Sequence, residues 1–431
     1  MGDKGRTDGL EQKYERDSRI ACKYGTKCYQ QNPIHHQKYK HPPQKKHNNG
    51  EPTNSPKRIK LDVDPTKKEE INKVKETVKT QNEANTEISD TQMPDLNTPN
   101  QHEFLEAFQD LIDSDITTTP KDLDPKDFIQ KKFLVEMPTD FYAFWDFCKS
   151  LKPNKPEEAL KNIGLTLVGP YDVLAGKFNG IVDKPETMYL IHWRFYSDPP
   201  EFQTVLKADD KTGYHIGYFR DSPSELPVFL ASNSANVDGI LKVTGDNIFA
   251  AVNLYLDDVK KSGDPFKKMN VHKIQSALQK RAQELKLDLS ERTQKIKDRD
   301  KKIVTRSFNK IGIVIPYNRK TQTGYRDLAV TNKELTKILD NIQKSRPEER
   351  QKFLSDLQLV LTNASIATDE CDFGTGIELG QDILAHGVET LNGTIARFLA
   401  SNYRLIGREA FAKIAEAHMK NRRKGTNLSI I

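Results

Sequence analysis

The sequence predicts an α+β protein in three parts, and three observations along its 431 residues support this division. Two cysteines and two of the three histidines between positions 22 and 41 indicate a small Cys₂His₂ finger over residues 15–43. Residues 44–100 contain no aromatic side chain, which is typical of a disordered linker. Short β-like runs and then helical periodicity predict a two-subdomain body, with a mixed α/β half (101–265) followed by a mostly helical half (266–431).

The charge of the chain is concentrated in its N-terminal arm. The first 60 residues hold 14 Lys and Arg against 6 Asp and Glu, whereas the remaining 371 hold 53 against 55. Such an arm favours a polyanionic partner, with a merely solvated tail as the alternative. Because the body is near neutral, we do not expect it to bind DNA directly.

The remaining composition indicates a soluble intracellular protein. Four cysteines are too few for a disulfide framework. No signal-peptide core or apolar run of roughly 18 residues is present, so we expect no membrane partner. Residues 55–62 (SPKRIKLD) resemble a monopartite nuclear signal and indicate a nuclear protein, although a chance basic cluster is the alternative.

The body is predicted element by element from apolar spacing. Helices are expected at 104–112, 141–147 (with Pro138, Thr139 and Asp140 as a cap), 248–256, 334–342, 348–367 and 376–415, the last one broken near Gly387. Strands are expected at 165–168, 188–195, 214–219, 227–230 and 311–315.

The finger has the spacing Cys-x5-Cys-x6-His-x5-His, formed by Cys22, Cys28, His35 and His41. Two thiolates and two imidazoles are a ligand set that Zn²⁺ prefers, in tetrahedral geometry. A segment this small has almost no core, so metal binding would provide most of its folding free energy. The spacing differs from that of DNA-reading fingers, which place a long helix between the two pairs. A scatter of Cys and His in a basic tail is the alternative.

Residues 22–42 (CKYGTKCYQQNPIHHQKYKHP) closely resemble the poly(ADP-ribose)-binding zinc finger, PBZ. The resemblance implies that the finger binds poly(ADP-ribose) and that Tyr24 and Tyr29 stack on adenine, the usual way of holding an unpaired base. Gln30 stands where that family commonly has an arginine, and nearby lysines such as Lys27 and Lys38 are candidates to replace its phosphate contact.

In the body, carboxylates are concentrated at residues 369–380 (DECDFGTGIELG). Crowded carboxylates raise one another's pKa, which can prepare one of them to act as a general base. On spacing alone, a solvated turn at the helix end, with a cap before the next helix, explains them better. Three nearby glycines permit close backbone approach, which favours a functional site.

The body also resembles the histone PARylation factors over roughly residues 130–420. The matching segments are 168–176 (VGPYDVLAG), 192–196 (HWRFY), 198–204 (DPPEFQT), 217–223 (GYFRDSP), 245–247 (GDN), 324–326 (GYR) and 369–372 (DECD).

The resemblance implies a factor without activity of its own that completes the active site of a poly(ADP-ribose) polymerase. NAD⁺ would be bound by that polymerase, and Glu370 would act as the general base that directs ADP-ribosylation to serine on histones and other proteins. Arg326 would orient Glu370, and Tyr325 and Asp369 would dock on the polymerase. The expected setting is chromatin at DNA damage sites. The alternative is a poly(ADP-ribose) reader and adaptor without a catalytic contribution.

The finger generates a prediction about metal dependence. The peptide 15–45 is expected to bind one Zn²⁺ and to fold only with it, because two Cys and two His are its strongest organising groups. Cobalt substitution should give the absorption spectrum of a tetrahedral thiolate site. An unchanged circular dichroism spectrum on adding zinc, and again on chelating it, would refute this interpretation.

Overall fold

A computed structural model describes residue 14 and residues 16–21, 39–42, 123–181, 184–208, 211–261 and 265–431. The predicted linker, the helix expected at 104–112 and the basic cluster at 55–62 lie outside these residues. In the described part of the chain, no helix combines the length and the apolar character needed to cross a bilayer.

The mixed half of the body begins with helices that the sequence marks clearly. Asp124 caps α1 by accepting a hydrogen bond from the Lys126 amide, Pro125 occupies the first turn, and Leu134 ends the helix at a φ of 57°. The helices of this half are α1 (Pro125–Phe133), α2 (Thr139–Leu151), α3 (Tyr171–Leu174), α4 (Glu186–Leu190) and α5 (Ile248–Lys261).

The predicted cap of α2 needs a correction. The helix begins at Thr139, and no side chain caps it. The Asp140 carboxylate instead accepts hydrogen bonds from the Tyr218 hydroxyl (2.7 Å) and the Ile248 amide (2.8 Å). This carboxylate therefore joins α2 to the sheet and to the start of α5.

The described residues form two groups of strands. A short parallel pair joins β1 (Ile20–Ala21) to β2 (Tyr39–Lys40). The body contains an antiparallel sheet in which the strands lie in chain order. Its strands are β3 (Thr166–Leu167), β4 (Phe202–Lys207), β5 (Tyr214–Phe219), β6 (Phe229–Ser234) and β7 (Lys242–Gly245).

The sheet is covered on both faces. Because side chains alternate along a strand, Ile216 and Tyr218 of β5 face the main hydrophobic core, whereas Phe219 faces a second cluster. In that second cluster Phe219 stacks on Phe229, with the ring centroids 5.0 Å apart. The three central strands are therefore buried along nearly their whole length, and they form a rigid base for the loops around them.

The second half is mostly helical, as the sequence predicts. Thr331 and Glu334 form a reciprocal capping box at the start of α8. Gly387, at a φ of 89°, ends α10 near the predicted break. The helices are α6 (Pro265–Glu284), α7 (Gln294–Asp300), α8 (Asn332–Lys344), α9 (Pro347–Asp369), α10 (Phe373–His386), α11 (Asn392–Leu405) and α12 (Glu409–Lys420).

One hydrophobic core contains residues of both halves. It includes Phe128 and Phe144 from the first helices and Ile377 and Phe411 from the last ones. The division near residue 265 stays a prediction about sequence pattern, since the two halves share this core.

Two predicted strands are wrong. Residues 188–195 form the end of α4 and a turn, because Pro185 starts a helix that a short apolar run cannot distinguish from a strand. Residues 311–315 make only an isolated bridge through Ile313. Gly312 has a φ of 85°, and its carbonyl accepts from Arg299 instead of from a neighbouring strand. Conversely, the strands β4 and β7 were not predicted.

The packing of the sheet generates a prediction at Gly217 in β5. A Cβ atom there would lie 2.5 Å from the Gln203 carbonyl oxygen and 2.6 Å from Cζ of Phe202. Gly217→Ala is therefore expected to lower the free energy of unfolding by about 1–3 kcal/mol, measured by urea denaturation. Gly393→Ala in α11 is the control, because no heavy atom lies within 4 Å of the added methyl group. Equal destabilisation of both variants would contradict this account of the sheet.

Candidate functional site

The candidate site lies at the turn between α9 and α10. Helix α9 ends at Asp369, and Cys371 then adopts a left-handed conformation with a φ of 69°. The amide of Asp372 donates to the Ala367 carbonyl (2.8 Å) and closes the turn. A left-handed conformation is costly for a residue with a Cβ, so the surrounding contacts must hold the turn in place. The turn leaves two carboxylates, Glu370 and Asp372, within reach of one partner.

That partner comes from a distant loop, residues 324–326. The Gly324 amide donates to Oδ1 of Asp372 (2.8 Å), and the Gly374 amide donates to the Gly324 carbonyl (2.9 Å). Thr375 Oγ1 donates to the Arg326 carbonyl (2.6 Å) and lies 3.1 Å from the Arg326 amide. A Cβ at Gly374 would clash with Cδ1 of Ile315 and lie 3.0 Å from the Gly324 carbonyl oxygen, so glycine favours this close approach. The loop backbone is thus fixed on the first turn of α10.

Arg326 joins the two carboxylates. Its Nε donates to Oδ2 of Asp372 at 2.7 Å, and its Nη2 donates to Oε2 of Glu370. Burial lowers the pKa of Arg326, but the hydrogen bonds that it donates to Glu370 and Asp372 outweigh this effect, and the pKa is raised. The Glu370 side chain is 11% exposed and that of Arg326 is 37% exposed, so the pair lies at the protein surface. The structure therefore brings together the predicted base and the predicted orienting residue.

Tyr325 points its hydroxyl into the same region. The hydroxyl donates to Oε2 of Glu378 (3.0 Å), whose Oε1 accepts from the Thr305 hydroxyl (2.6 Å). Burial raises the pKa of the Glu378 carboxyl and that of the Tyr325 hydroxyl. The Tyr325 ring is half-buried and held in one orientation. Sequence reasoning had assigned no role to Glu378 or to Asp372, although both belong to the carboxylate-rich run.

Asp369 ends an exposed, uncharged face of α9. Residues 357–368 contain no charged side chain, in a chain in which 30% of residues are charged. On this face Leu359 is 66% and Ile366 is 41% exposed, and Ile366 precedes Asp369 by one helical turn. We call Leu359, Ile366 and Asp369 the α9 face. It leads directly to Glu370.

Most of the predicted finger lies outside the described residues, including Cys22, Cys28, His35, Tyr24 and Tyr29. The described residues around it pair Ala21 with Lys40 in a parallel register. Ala21 and Lys40 directly precede Cys22 and His41, the first and last predicted metal ligands. Their pairing brings the two ends of the predicted finger close together. Among the described residues no group of three or more potential ligands could hold a metal ion.

Comparison with known proteins explains the combination of an oriented carboxylate, a docked arginine and an N-terminal finger. A family model described as histone PARylation factor 1 matches residues 124–422, and the PBZ domain model matches residues 19–44. The chain therefore belongs to the histone PARylation factor 1 family. All four body residues singled out from the sequence lie within the matched range.

Curated relatives agree with this assignment. Histone PARylation factor 1 of Mus musculus is 42% identical over 298 residues, which cover 68% of this chain and 86% of the mouse protein. That of Danio rerio is 38% identical over 333 residues, with 77% and 94% covered. A Homo sapiens protein named putative histone PARylation factor 1-like is 40% identical over 299 residues, with 69% and 86% covered.

Proposed function

We propose that this chain docks on a poly(ADP-ribose) polymerase and supplies Glu370 as the general base of a joint active site. In this proposal the polymerase binds NAD⁺, and the acceptor is a serine of a histone or of another protein. Glu370 takes the proton from the serine hydroxyl, whose oxygen bonds to C1′ of the nicotinamide ribose while the bond to nicotinamide breaks. The proton on Glu370 then passes to solvent. A serine hydroxyl is almost entirely un-ionised at neutral pH, so this attack needs a base within hydrogen-bond reach.

The observation that carries the proposal is the Arg326–Glu370 pair. A carboxylate that is nearly buried, yet lies at the surface and is held by a guanidinium, has the fixed position that a general base requires. A non-catalytic adaptor would need no such orientation. The alternative, a poly(ADP-ribose) reader and adaptor, therefore explains the finger but does not explain why Arg326 orients Glu370.

The α9 face supports docking beside Glu370. The buried centre of a protein interface is depleted of charge, and exposed apolar side chains without neighbouring charges suit that position. Leu359 and Ile366 would pack on the polymerase, and Asp369 and Tyr325 would add polar contacts at its edge. Partner and base would then share one continuous surface.

The finger supports a second contact in the same reaction. Its Cys₂His₂ donor set fits Zn²⁺, so Cys22, Cys28, His35 and His41 would hold the ion, which would supply the folding free energy of the segment. Tyr24 and Tyr29 would stack on adenines of poly(ADP-ribose). Together with the basic cluster at 57–60, this supports our proposal that the chain acts in the nucleus, on chromatin where the polymer is made.

Glu370→Gln tests the catalytic proposal. Glutamine keeps the shape of the side chain and can accept from Arg326, but it cannot take the proton. We expect the rate of serine ADP-ribosylation with a saturating polymerase to fall by roughly 10²- to 10⁴-fold, because a general base acts on the transition state. Rates would come from single-turnover assays with a histone peptide, and docking from calorimetry.

Docking of Glu370→Gln should stay within about threefold of wild type, since its contacts with the partner are nearly unchanged. Ile366→Asp is the complementary variant: it should weaken docking, because it puts a charge in the centre of the proposed interface, and it should leave Glu370 intact. A wild-type rate for Glu370→Gln with docking confirmed would remove the catalytic role and favour the adaptor.

A further inference from the structure

Two carboxylates share the guanidinium of Arg326, and only one of them has a role in the proposed reaction. Asp372 is 6% exposed and its two oxygens have different partners. Oδ1 accepts from the Gly324 amide at 2.8 Å, and Oδ2 accepts from Nε of Arg326 at 2.7 Å. One side chain therefore fixes both the backbone of the loop and the rotation of the guanidinium.

The planarity of the guanidinium makes this contact decisive for Glu370. Nε and Nη2 lie in one rigid plane, so fixing Nε against Asp372 also fixes the direction in which Nη2 donates. Nη2 donates to Oε2 of Glu370. Thr375 holds the backbone of Arg326 but does not restrain its long side chain, which is 37% exposed. Asp372 accepts from Nε and so restrains the guanidinium directly beside the nitrogen that donates to Glu370.

We propose that Asp372 is a positioning residue that sets both the place and the basicity of Glu370 through Arg326. This inference rests on the proposed function of Glu370 as a general base. Asp372 holds the guanidinium of Arg326 so that Nη2 points to Glu370. The negative charge of Asp372 also neutralises part of the positive charge of Arg326. Without Asp372, Arg326 would stabilise ionised Glu370 alone and make it a weaker base.

Three further titratable groups, Tyr325, Asp327 and Asp369, flank the pair in the chain, and no ion pair between them and Arg326 is present among the described residues. On the loop, Tyr325 and Asp327 lie beside Arg326, but the Tyr325 hydroxyl donates to Glu378 on α10. Asp369 is exposed at the end of α9. Among the ion pairs of the described residues, Arg326 pairs with Glu370 and with Asp372. Asp372 is therefore the acidic neighbour through which the charge of Arg326 can be shared.

Asp372→Asn in the full chain tests the inference by removing the charge while keeping the size. Asparagine Oδ1 can still accept from the Gly324 amide, but its NH₂ cannot accept from Arg326. We expect the rate of serine modification at saturating polymerase to fall about tenfold or more at its plateau. We also expect the acid limb of the rate–pH profile to move to lower pH by roughly one unit, because ionised Glu370 then gains the full charge of Arg326.

A purely structural role would not move the acid limb. For Asp372→Asn, a lower rate with an unchanged acid limb, or docking lost together with rate, would overturn the inference. Asp356→Asn on α9 is the matched control, because it removes an exposed carboxylate distant from Arg326 and should leave both rate and profile unchanged.

Asp372→Glu separates the effect of charge from that of position, and it still tests the inference if Asp372→Asn does not fold. It keeps the charge but moves it by one methylene, so the acid limb should stay and the plateau rate should fall about tenfold. A wild-type rate for Asp372→Glu would overturn the inference. An active Glu370→Gln variant would instead refute the proposed function. If Glu370→Gln is inactive but the Asp372 variants behave like wild type, only this inference is refuted.

Discussion

The ion pairs of Arg326 with Glu370 and Asp372 are the constraint on which the candidate site depends. They join segments 44 and 46 residues apart in the chain, and the loop closure that this requires costs entropy. The two carboxylates that offset this cost are nearly buried, so removing Arg326 would leave their charges uncompensated. The left-handed Cys371 and the close approach at Gly374 are tolerated because this cluster holds the turn.

The sheet and the hydrophobic core of the body hold the segments that carry this cluster. The two-sided sheet and the shared hydrophobic core fix α9 and α10, and the α9–α10 turn therefore presents Glu370 at the surface in one position. In the proposed function, a base held in this way is one half of an active site, because a second protein would bring NAD⁺ and an acceptor to it. In the same proposal Leu359 and Ile366 of the α9 face contact that partner, while the finger binds the polymeric product through a separate segment.

Much of the fold could be predicted from the sequence where apolar spacing was long and regular. The ranges predicted as helices at 141–147, 248–256, 334–342 and 348–367 all lie within α2, α5, α8 and α9, although α2 and α5 continue four and five residues further. Short runs did not suffice. Residues 188–195 and 311–315 are as apolar as strands, yet Pro185 and Gly312 determine their backbone.

The site was predictable only in part. The carboxylate-rich run was visible, but its pattern did not distinguish a base from a helix cap, and the resemblance to a family singled out Glu370 and Arg326. The role inferred for Asp372 depends on the turn at Cys371, which brings residue 372 back toward the loop. A left-handed conformation at a cysteine has no signature in the sequence. Tertiary contacts of this kind become visible only in the structure.

The most direct measurement identifies the amino acid that carries ADP-ribose after a polymerase, NAD⁺ and a histone react with and without this chain. Mass spectrometry with a fragmentation method that preserves the modification would locate it. Our account predicts modified serines when the wild-type chain is present and their near absence when it is omitted, because the polymerase then has no base for a serine hydroxyl. The same set of modified residues in both reactions would contradict the central claim that this chain completes the active site.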